Sequence, residues 1–290
     1  MATHHSLHVL PSPKSITSRD VGTQYDQLDR LYRTIWGETL HHGLWQKRDS
    51  RDVKAGTERL LSLLLSPLQP APYSRLIDIG CGYGTDAIKI AEQSGASVTG
   101  ITISHCQATR ARQNPAPARG AVEIQHGDWL KNHFADHSFD SAIAVESLCH
   151  MEDSPSFFKE LHRVLVPGGR AALSCWSTVP DPSPLESILL RYLCLEGALP
   201  TLGTLLDYRI LAEDSGLSMT SHHDLTEMAE PTWSIMAQRI LRHLPTPRFL
   251  TGSLPLALRR PFLSLTVPAM FLAYRTGVLR YTLFWLEKRS

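Results

Sequence analysis

The chain has 290 residues, with 29 lysines and arginines against 28 aspartates and glutamates, which gives a formal net charge of +1. This balance excludes the strongly basic chain that is typical of a nucleic-acid-binding protein. Hydrophobic residues make up 42% of the chain and charged residues 20%, which excludes a disordered protein and indicates one enlarged globular domain or two modest ones.

The cysteines and the hydropathy pattern predict the compartment. The five cysteines are scattered and form no C-x-x-C pair, so neither a zinc ribbon nor a disulfide framework is expected. A reducing, cytoplasmic location follows as the expectation. Because no run of about 18 uncharged apolar residues occurs, we expect no stable insertion into a membrane.

The N-terminal quarter of the chain is predicted to be helical after a flexible tail. Residues 1–20 are rich in His, Pro and Ser and have no apolar periodicity, which predicts the tail. Residues 21–74 carry apolar residues at helical spacing and a second helical pattern over about 53–65. We expect these helices to close over a ligand site in the domain that follows.

An alternating pattern of strands and helices begins at residue 75. Short apolar runs predict five strands, over 75–79, 97–101, 121–124, 139–145 and 170–176. Helical patterns separate them, and for one of these helices we expect Ser154 as the N-cap and Pro155 at the first helical position. The alternation predicts an α/β fold for 75–180, with a mostly parallel sheet and helices on both faces. In such sheets the ligand lies at the carboxyl ends of the strands.

The alternation is lost after residue 180. Residues 181–270 predict a helical cap with one strand near 218–226, and residues 271–290 predict a strand that returns to the sheet. The cap is rich in large apolar residues, among them Trp233. This composition favours a hydrophobic small molecule as the ligand of the cap.

A glycine-rich loop follows the first predicted strand. It reads Asp78-Ile-Gly80-Cys-Gly82-Tyr-Gly84-Thr85, and three glycines let the backbone turn sharply and approach a ligand. A dinucleotide loop has a glycine at the sixth position, where this chain has Thr85, and an acidic residue about 20 residues later. The second predicted strand ends without an acidic residue, so both features disfavour NAD and FAD.

Five sequence motifs follow one another along the chain, and the second of them contains this loop. They read IWGETLHHGLW at 35–45, LIDIGCGYGTD at 76–86, VTGITISHCQ at 98–107, HGDW at 126–129 and FDSAIAVESLCHMED at 139–153. In this combination the chain resembles the class I S-adenosylmethionine-dependent methyltransferases, and in particular the tocopherol, sterol and natural-product branch. The resemblance implies a Rossmann-like sheet with S-adenosyl-L-methionine as the cofactor.

The resemblance also implies which residues hold the cofactor. These are Tyr25, Trp45, Asp78, Gly80, Gly82, Gly84, Thr102, Gln107, Asp128, Trp129 and Glu146. The glycines would line the methionine part, and Asp78 would order their loop by accepting backbone N–H groups. Tyr25 and Trp45 would close over the methionine end. The side chains after the second and third strands would hold the ribose and the adenine.

Two residues after the fourth strand are candidates for catalysis. By the resemblance, His150 would be a general base, since histidine titrates near neutral pH, or would only form hydrogen bonds with the cofactor pocket or the substrate. Glu146 would orient His150, bind the methionine ammonium group or stabilise positive charge on the acceptor. His41, His42 and Trp233 are candidate substrate-binding residues. No metal site is predicted, because adjacent histidines point apart and no third ligand is evident.

The function expected from these motifs is methyl transfer to the oxygen, nitrogen or carbon of a hydrophobic, natural-product or isoprenoid-like small molecule. Two alternatives stay open at this point: a nucleotide-dependent oxidoreductase and a cofactor-binding protein without catalysis. The acceptor is the one partner predicted, and the oligomeric state is left open.

Overall fold

The computed structural model describes residues 7–46, 52–246 and 263–289. Within these ranges the strands are β1 Leu10–Pro11, β2 Arg75–Ile79, β3 Ser97–Thr102, β4 Ala121–His126, β5 Phe139–Val145, β6 Leu165–Thr178, β7 Thr201–Leu202, β8 Leu217–Asp224 and β9 Leu279–Lys288. The α-helices in the same ranges are α1 Ser18–Ile35, α2 Val53–Leu65, α3 Thr85–Ser94, α4 His105–Ala111, α5 Ser154–Val164, α6 Pro184–Gly197, α7 Leu205–Asp214, α8 Thr226–Ala229, α9 Pro231–His243 and α10 Thr266–Thr276.

The central sheet has seven strands in the order β4-β3-β2-β5-β6-β9-β8. The strands from β4 to β6 are parallel, whereas β9 runs antiparallel to both β6 and β8. The prediction of a mostly parallel α/β sheet is therefore confirmed. β9 is buried along almost its whole length, since it pairs with a neighbour on each side.

Helices cover both faces of the sheet, as predicted. On one face, apolar residues of α2, α3, α6 and α10 form one core cluster with the sheet. On the other face, α5 and α7 form a second cluster, in which Phe157, Phe158 and Leu161 are fully buried. No helix of the described ranges is long and apolar enough to cross a membrane.

Local sequence signals determine where several helices begin. Thr17 caps α1 through a capping box with Asp20, and Ser183 caps α6 through another with Glu186, which satisfies the free N–H groups of the first turn. The cap of α5 is Asp153 rather than the predicted Ser154. Asp153 accepts the Ser156 N–H at 3.0 Å, so the true start lies one residue earlier.

Two segments differ from the predicted organisation. In the region predicted as a flexible tail, residues 1–6 lie outside the described ranges, β1 pairs with β7, and α1 already begins at Ser18. The strand predicted near 218–226 is present as β8, but it is an edge strand of the main sheet and not part of a separate cap. The described helices of this region are α6, α7, α8, α9 and the start of α10, and residues 247–262 lie outside the described ranges.

Candidate active site

A cavity of about 270 Å³ lies at the carboxyl end of the parallel strands. Gly80 follows β2, Thr102 ends β3, Glu146 follows β5 and Trp176 lies near the end of β6, and all four line the cavity. The wall opposite the sheet comes from α1, α6, α9 and α10. The topology therefore brings the ends of several strands to one enclosed site, as expected for this class of sheet.

The glycine loop forms a cradle for a ligand. Gly80 has φ +82°, and a Cβ atom there would lie 2.4 Å from Cβ of Ser147. Gly82 has φ +55°, and a Cβ atom there would meet no heavy atom within 4 Å. Gly80 is thus needed for close packing against the end of β5, whereas the space beside Gly82 is open to the cavity.

Polar side chains follow β3 and β4. The Thr102 hydroxyl donates to Oε1 of Gln107 at 2.8 Å. Asp128 accepts the Leu130 N–H through Oδ1 at 3.0 Å, which caps a short 3-10 turn. The Trp129 ring packs against Phe157 with 6.0 Å between ring centroids. All four predicted residues of this region line the cavity, and their donors and acceptors suit a ribose and an adenine ring.

Glu146 is a buried carboxylate at the centre of the cavity wall. Its Oε1 atom accepts three hydrogen bonds: from the His42 N–H at 2.6 Å, from His42 Nδ1 at 3.0 Å and from the Tyr281 hydroxyl at 2.8 Å. Burial would raise the pKa of this carboxyl, but the His42 contacts outweigh burial and hold the pKa below its usual value. Glu146 is therefore an anion at neutral pH.

His150 lies beside Glu146 and has both ring nitrogens engaged. Nδ1 lies 3.1 Å from the carbonyl oxygen of Ala198, which can only accept, so Nδ1 carries the proton. Nε2 lies 3.0 Å from the Tyr25 hydroxyl and accepts from it. Burial lowers the pKa of His150. The imidazole is therefore neutral at neutral pH, with its basic lone pair on Nε2.

The far half of the cavity is apolar. Large side chains line it, namely Leu31, Ile35, Trp36, Leu40, Trp176, Trp233, Met236, Ile240, Leu263, Val267 and Met270. The glycine loop, Thr102, Gln107 and Asp128 form the polar half of the lining, and Glu146 and His150 line the same cavity. The site therefore offers polar groups, apolar groups and two proton acceptors.

Comparison with known proteins agrees with this geometry. The model of a family described as a methyltransferase domain matches residues 77–173. A 27-O-demethylrifamycin SV methyltransferase of Amycolatopsis mediterranei is 34% identical over 242 residues, which cover 80% of this chain and 89% of that protein. The chain belongs to the S-adenosylmethionine-dependent methyltransferases.

Other relatives and solved structures share the fold of this methyltransferase. The chloroplastic tocopherol O-methyltransferase of Arabidopsis thaliana is 28% identical over 283 residues, which cover 91% of this chain and 80% of that protein. The cyclopropane synthase MmaA2 of Mycobacterium tuberculosis superimposes with a TM-score of 0.81 at 19% identity, over 96% and 100% of the two chains. The (4+2)-cyclase SpnF superimposes with a TM-score of 0.78 at 22% identity, over 96% and 98%.

The open cradle beside Gly82 and the polar groups after β3 and β4 fit S-adenosylmethionine, which is the cofactor of the methyltransferase. The predicted residues that line the cavity are Tyr25, Gly80, Gly82, Thr102, Gln107, Asp128, Trp129, Glu146, His150 and Trp233. Their side chains or backbone are therefore available to a bound ligand. The other predicted residues lie behind this lining.

Trp45, Gly84 and Asp78 lie away from the cavity lining. Trp45 packs so tightly on Gly43 and Gly56 that a Cβ atom on either glycine would lie within 2.7 Å of its ring. Gly84 caps α3 with φ +73°. Among the described residues, no hydrogen bond joins the Asp78 side chain to the glycine-loop amides. Burial, and then Asp86, raise the pKa of Asp78 to about 8, so it is a poor anionic acceptor for them.

The adjacent histidines also lie behind the lining, and they point apart. His42 is fully buried among aromatic rings, with the Tyr281 centroid at 4.9 Å and the Trp233 centroid at 5.5 Å. His41 contacts Asp86 on α3, with 2.7 Å between Nε2 and Oδ2. We expected one of the pair to line the substrate pocket; instead, His42 holds Glu146 from behind the lining, and His41 pairs with Asp86, which does not line the cavity.

Three residues of the site escaped the sequence analysis. Tyr281 on β9 donates to Glu146, and Tyr274 on α10 lies 3.2 Å from Nε2 of His42. Trp176 on β6 lines the cavity and donates to Tyr274 at 3.2 Å. The register of the sheet places Tyr281 directly opposite Trp176. The alternating apolar pattern near the end of the chain predicted the last strand, which carries Tyr281. The pattern did not specify that this strand lies beside β6.

We predict that the ion pair of His41 and Asp86 makes stability depend on pH above neutrality. Burial opposes protonation of His41, but Asp86 outweighs it and raises the pKa of His41 from 6.5 to about 9. Because the folded-state pKa is the higher one, the contribution is fully present below about pH 6.5 and is lost as the pH rises through about 9.

The variant His41→Gln keeps a hydrogen-bond donor for Asp86 and removes the titratable charge. The free energy of unfolding, measured in urea at pH 7 and pH 10, should favour the natural chain at pH 7, and most of this advantage should be gone at pH 10. A difference between the two proteins that is constant over this range would contradict the assignment.

Proposed function

We propose that the methyltransferase transfers a methyl group to a hydroxyl group of a bulky, apolar small molecule, with His150 as the proton acceptor. The observation that carries the proposal is the neutral imidazole of His150 in the lining of the cavity. Its Nδ1 proton is held by Ala198 and its Nε2 lone pair is turned towards Tyr25. The names of the rifamycin and tocopherol relatives, which denote O-methylation, support an oxygen acceptor.

The residues of the chain supply positioning and a base for this reaction. When bound, S-adenosylmethionine supplies a methyl group on a sulfonium cation, which is reactive enough to need no further activation. The glycine loop, Thr102, Gln107 and Asp128 would hold the cofactor in the polar half of the cavity. The apolar half would align the acceptor and keep water away. His150 would take the hydroxyl proton, which makes the oxygen a better nucleophile.

The experiment that tests the proposal is incubation with a cofactor whose methyl group carries ¹³C. Hydroxylated apolar molecules serve as acceptors, beginning with 27-O-demethylrifamycin SV and tocopherols, and mass spectrometry and NMR locate the label. We expect a labelled O–CH₃ group. Label on carbon or nitrogen contradicts the choice of acceptor atom, and tight cofactor binding without any labelled product favours a protein that does not catalyse methyl transfer.

A second candidate is transfer to an alkene carbon, and Glu146 favours it. This carboxylate is held as an anion next to several aromatic rings, and both kinds of group stabilise a carbocation. For a hydroxyl acceptor, we expect kcat to fall more in His150→Gln than in Glu146→Gln. For a carbon acceptor, we expect kcat to fall more in Glu146→Gln than in His150→Gln, because no proton needs to leave before the methyl group arrives. Single-turnover rates of the two variants with each labelled acceptor make the comparison.

A further inference from the structure

The hydrogen bond between Tyr25 and His150 leaves no vacant nitrogen on the imidazole. Because Ala198 accepts the Nδ1 proton, Nε2 carries the lone pair, and the Tyr25 hydroxyl donates its single hydrogen to it at 3.0 Å. An acceptor molecule that enters the cavity therefore cannot donate to Nε2 without breaking this bond. Tyr25 also lines the cavity, and its hydroxyl oxygen, which donates to Nε2, keeps lone pairs for a further donor.

The surroundings of the pair hold it in place. Tyr25 packs beside the small apolar cluster of Ile16, Val21 and Ala198, and its ring meets the His150 ring edge-on with 5.5 Å between centroids. Ala198 has φ +51°, a left-handed conformation in which an alanine is strained. The strained residue is the one whose carbonyl fixes the tautomer of His150, so the local backbone maintains the direction of the Tyr25 hydrogen bond.

We propose that Tyr25 is the residue that contacts the acceptor hydroxyl, and that it relays the proton from the acceptor to Nε2 of His150. This inference rests on the proposed O-methyl transfer and adds a catalytic residue to it. The role differs from the cofactor-binding role that the sequence suggested for Tyr25. It explains why the helix α1 places a tyrosine hydroxyl, and not an apolar side chain, beside Nε2 of His150.

The step balances without any further reactant. A lone pair of the acceptor oxygen forms the new C–O bond to the methyl group, and the electron pair of the broken C–S bond stays on sulfur. The acceptor proton moves to the Tyr25 oxygen while the Tyr25 proton moves to Nε2, which leaves an imidazolium. Burial raises the pKa of Tyr25, and Tyr32, Cys149 and Glu146 face it and raise the pKa further. A free tyrosinate is thus disfavoured, so the two protons move together.

The variant Tyr25→Phe tests the relay, and Tyr192→Phe is the matched control, since it removes a tyrosine hydroxyl on α6 outside the cavity lining. With an acceptor that the natural chain labels, Tyr25→Phe should lower kcat by about 10²-fold or more, with little change in the dissociation constant of S-adenosylhomocysteine. The solvent-deuterium dependence of kcat should be curved for the natural chain, since two protons move, and linear for the variant.

A second readout needs no activity. The pKa of His150, followed by ¹⁵N NMR, should rise in Tyr25→Phe, because the hydroxyl that favours the neutral ring is gone. An unchanged kcat with an unchanged His150 pKa overturns the relay while the proposed O-methyl transfer stands. A loss confined to cofactor affinity also overturns it and returns Tyr25 to a binding role. If the natural chain labels no acceptor, the proposed function fails, and an unshifted His150 pKa then excludes the relay as well.

Discussion

Replacing His150 with glutamine is expected to lower kcat by about 10²–10⁴-fold, the usual contribution of a general base. Glutamine is the informative substitute because its amide can still donate to Ala198 and accept from Tyr25, while it cannot take up a proton. The dissociation constant of S-adenosylhomocysteine, measured by calorimetry, should change little. The loss therefore isolates proton transfer from packing and from cofactor binding.

The pH dependence of kcat is a second measurement that tests the same role of His150. Because burial lowers the pKa of His150 from its usual 6.5, the natural chain should keep full kcat at neutral pH and lose it only below pH 6.5, as the ring becomes protonated. In His150→Gln this acid limb should be absent. His162→Gln is the control, since burial also lowers the pKa of His162 but its ring lies outside the cavity lining. An acid limb that persists in His150→Gln would mean that another group titrates.

The parallel half of the sheet could be predicted because its signals are local. β2 and β5 have the predicted bounds, since each is an apolar run that ends at a polar or glycine-rich turn. The residues that follow such strands meet at one edge of the sheet whatever the tertiary details are. Gly80, Gly82, Thr102, Asp128 and the residues after β5 line the cavity for this reason.

The antiparallel half could not be predicted in the same way. An alternating pattern identifies a strand but does not specify its neighbours, so the position of β9 between β6 and β8 carried no local signal. Tyr281 and Glu146 are 135 residues apart in sequence, yet the Tyr281 hydroxyl lies 2.8 Å from Oε1 of Glu146. The role of a residue such as Tyr281 depends wholly on that strand order.

Backbone conformation also limited the prediction. Glu146 and Ala198 have φ +56° and +51°, a region that residues other than glycine seldom adopt. No sequence pattern predicted this backbone conformation at either residue, although Glu146 itself was predicted as a site residue. These two residues aim a carboxylate and a carbonyl group into the site, so the hydrogen bonds that assign a charge to Glu146 and a tautomer to His150 became visible only in three dimensions.

The second large effect is expected from Gly82→Val, which should abolish measurable binding of S-adenosylhomocysteine while the chain stays folded. The Cβ atom of residue 82 would have no heavy atom within 4 Å, and residue 82 lines the cavity, so we expect the new side chain to fill ligand space. The positive φ adds backbone strain of about 1–2 kcal/mol. Gly80 is a less informative position, because a Cβ atom there would clash with Ser147 at 2.4 Å and would disturb the fold itself.

The same substitution at a second glycine distinguishes the filling of ligand space from the effect of backbone strain. Gly168 has φ +72° and likewise no heavy atom within 4 Å of an added Cβ, but it lies outside the cavity lining. Gly168→Val should therefore lose a similar amount of thermal stability and bind S-adenosylhomocysteine as the natural chain does. Comparable affinity losses in the two variants would mean that backbone strain causes the effect. Near-normal affinity in Gly82→Val would mean that the cofactor does not bind at the glycine loop. The difference in affinity for S-adenosylhomocysteine between the two variants thus tests whether the cofactor binds in the open space beside residue 82.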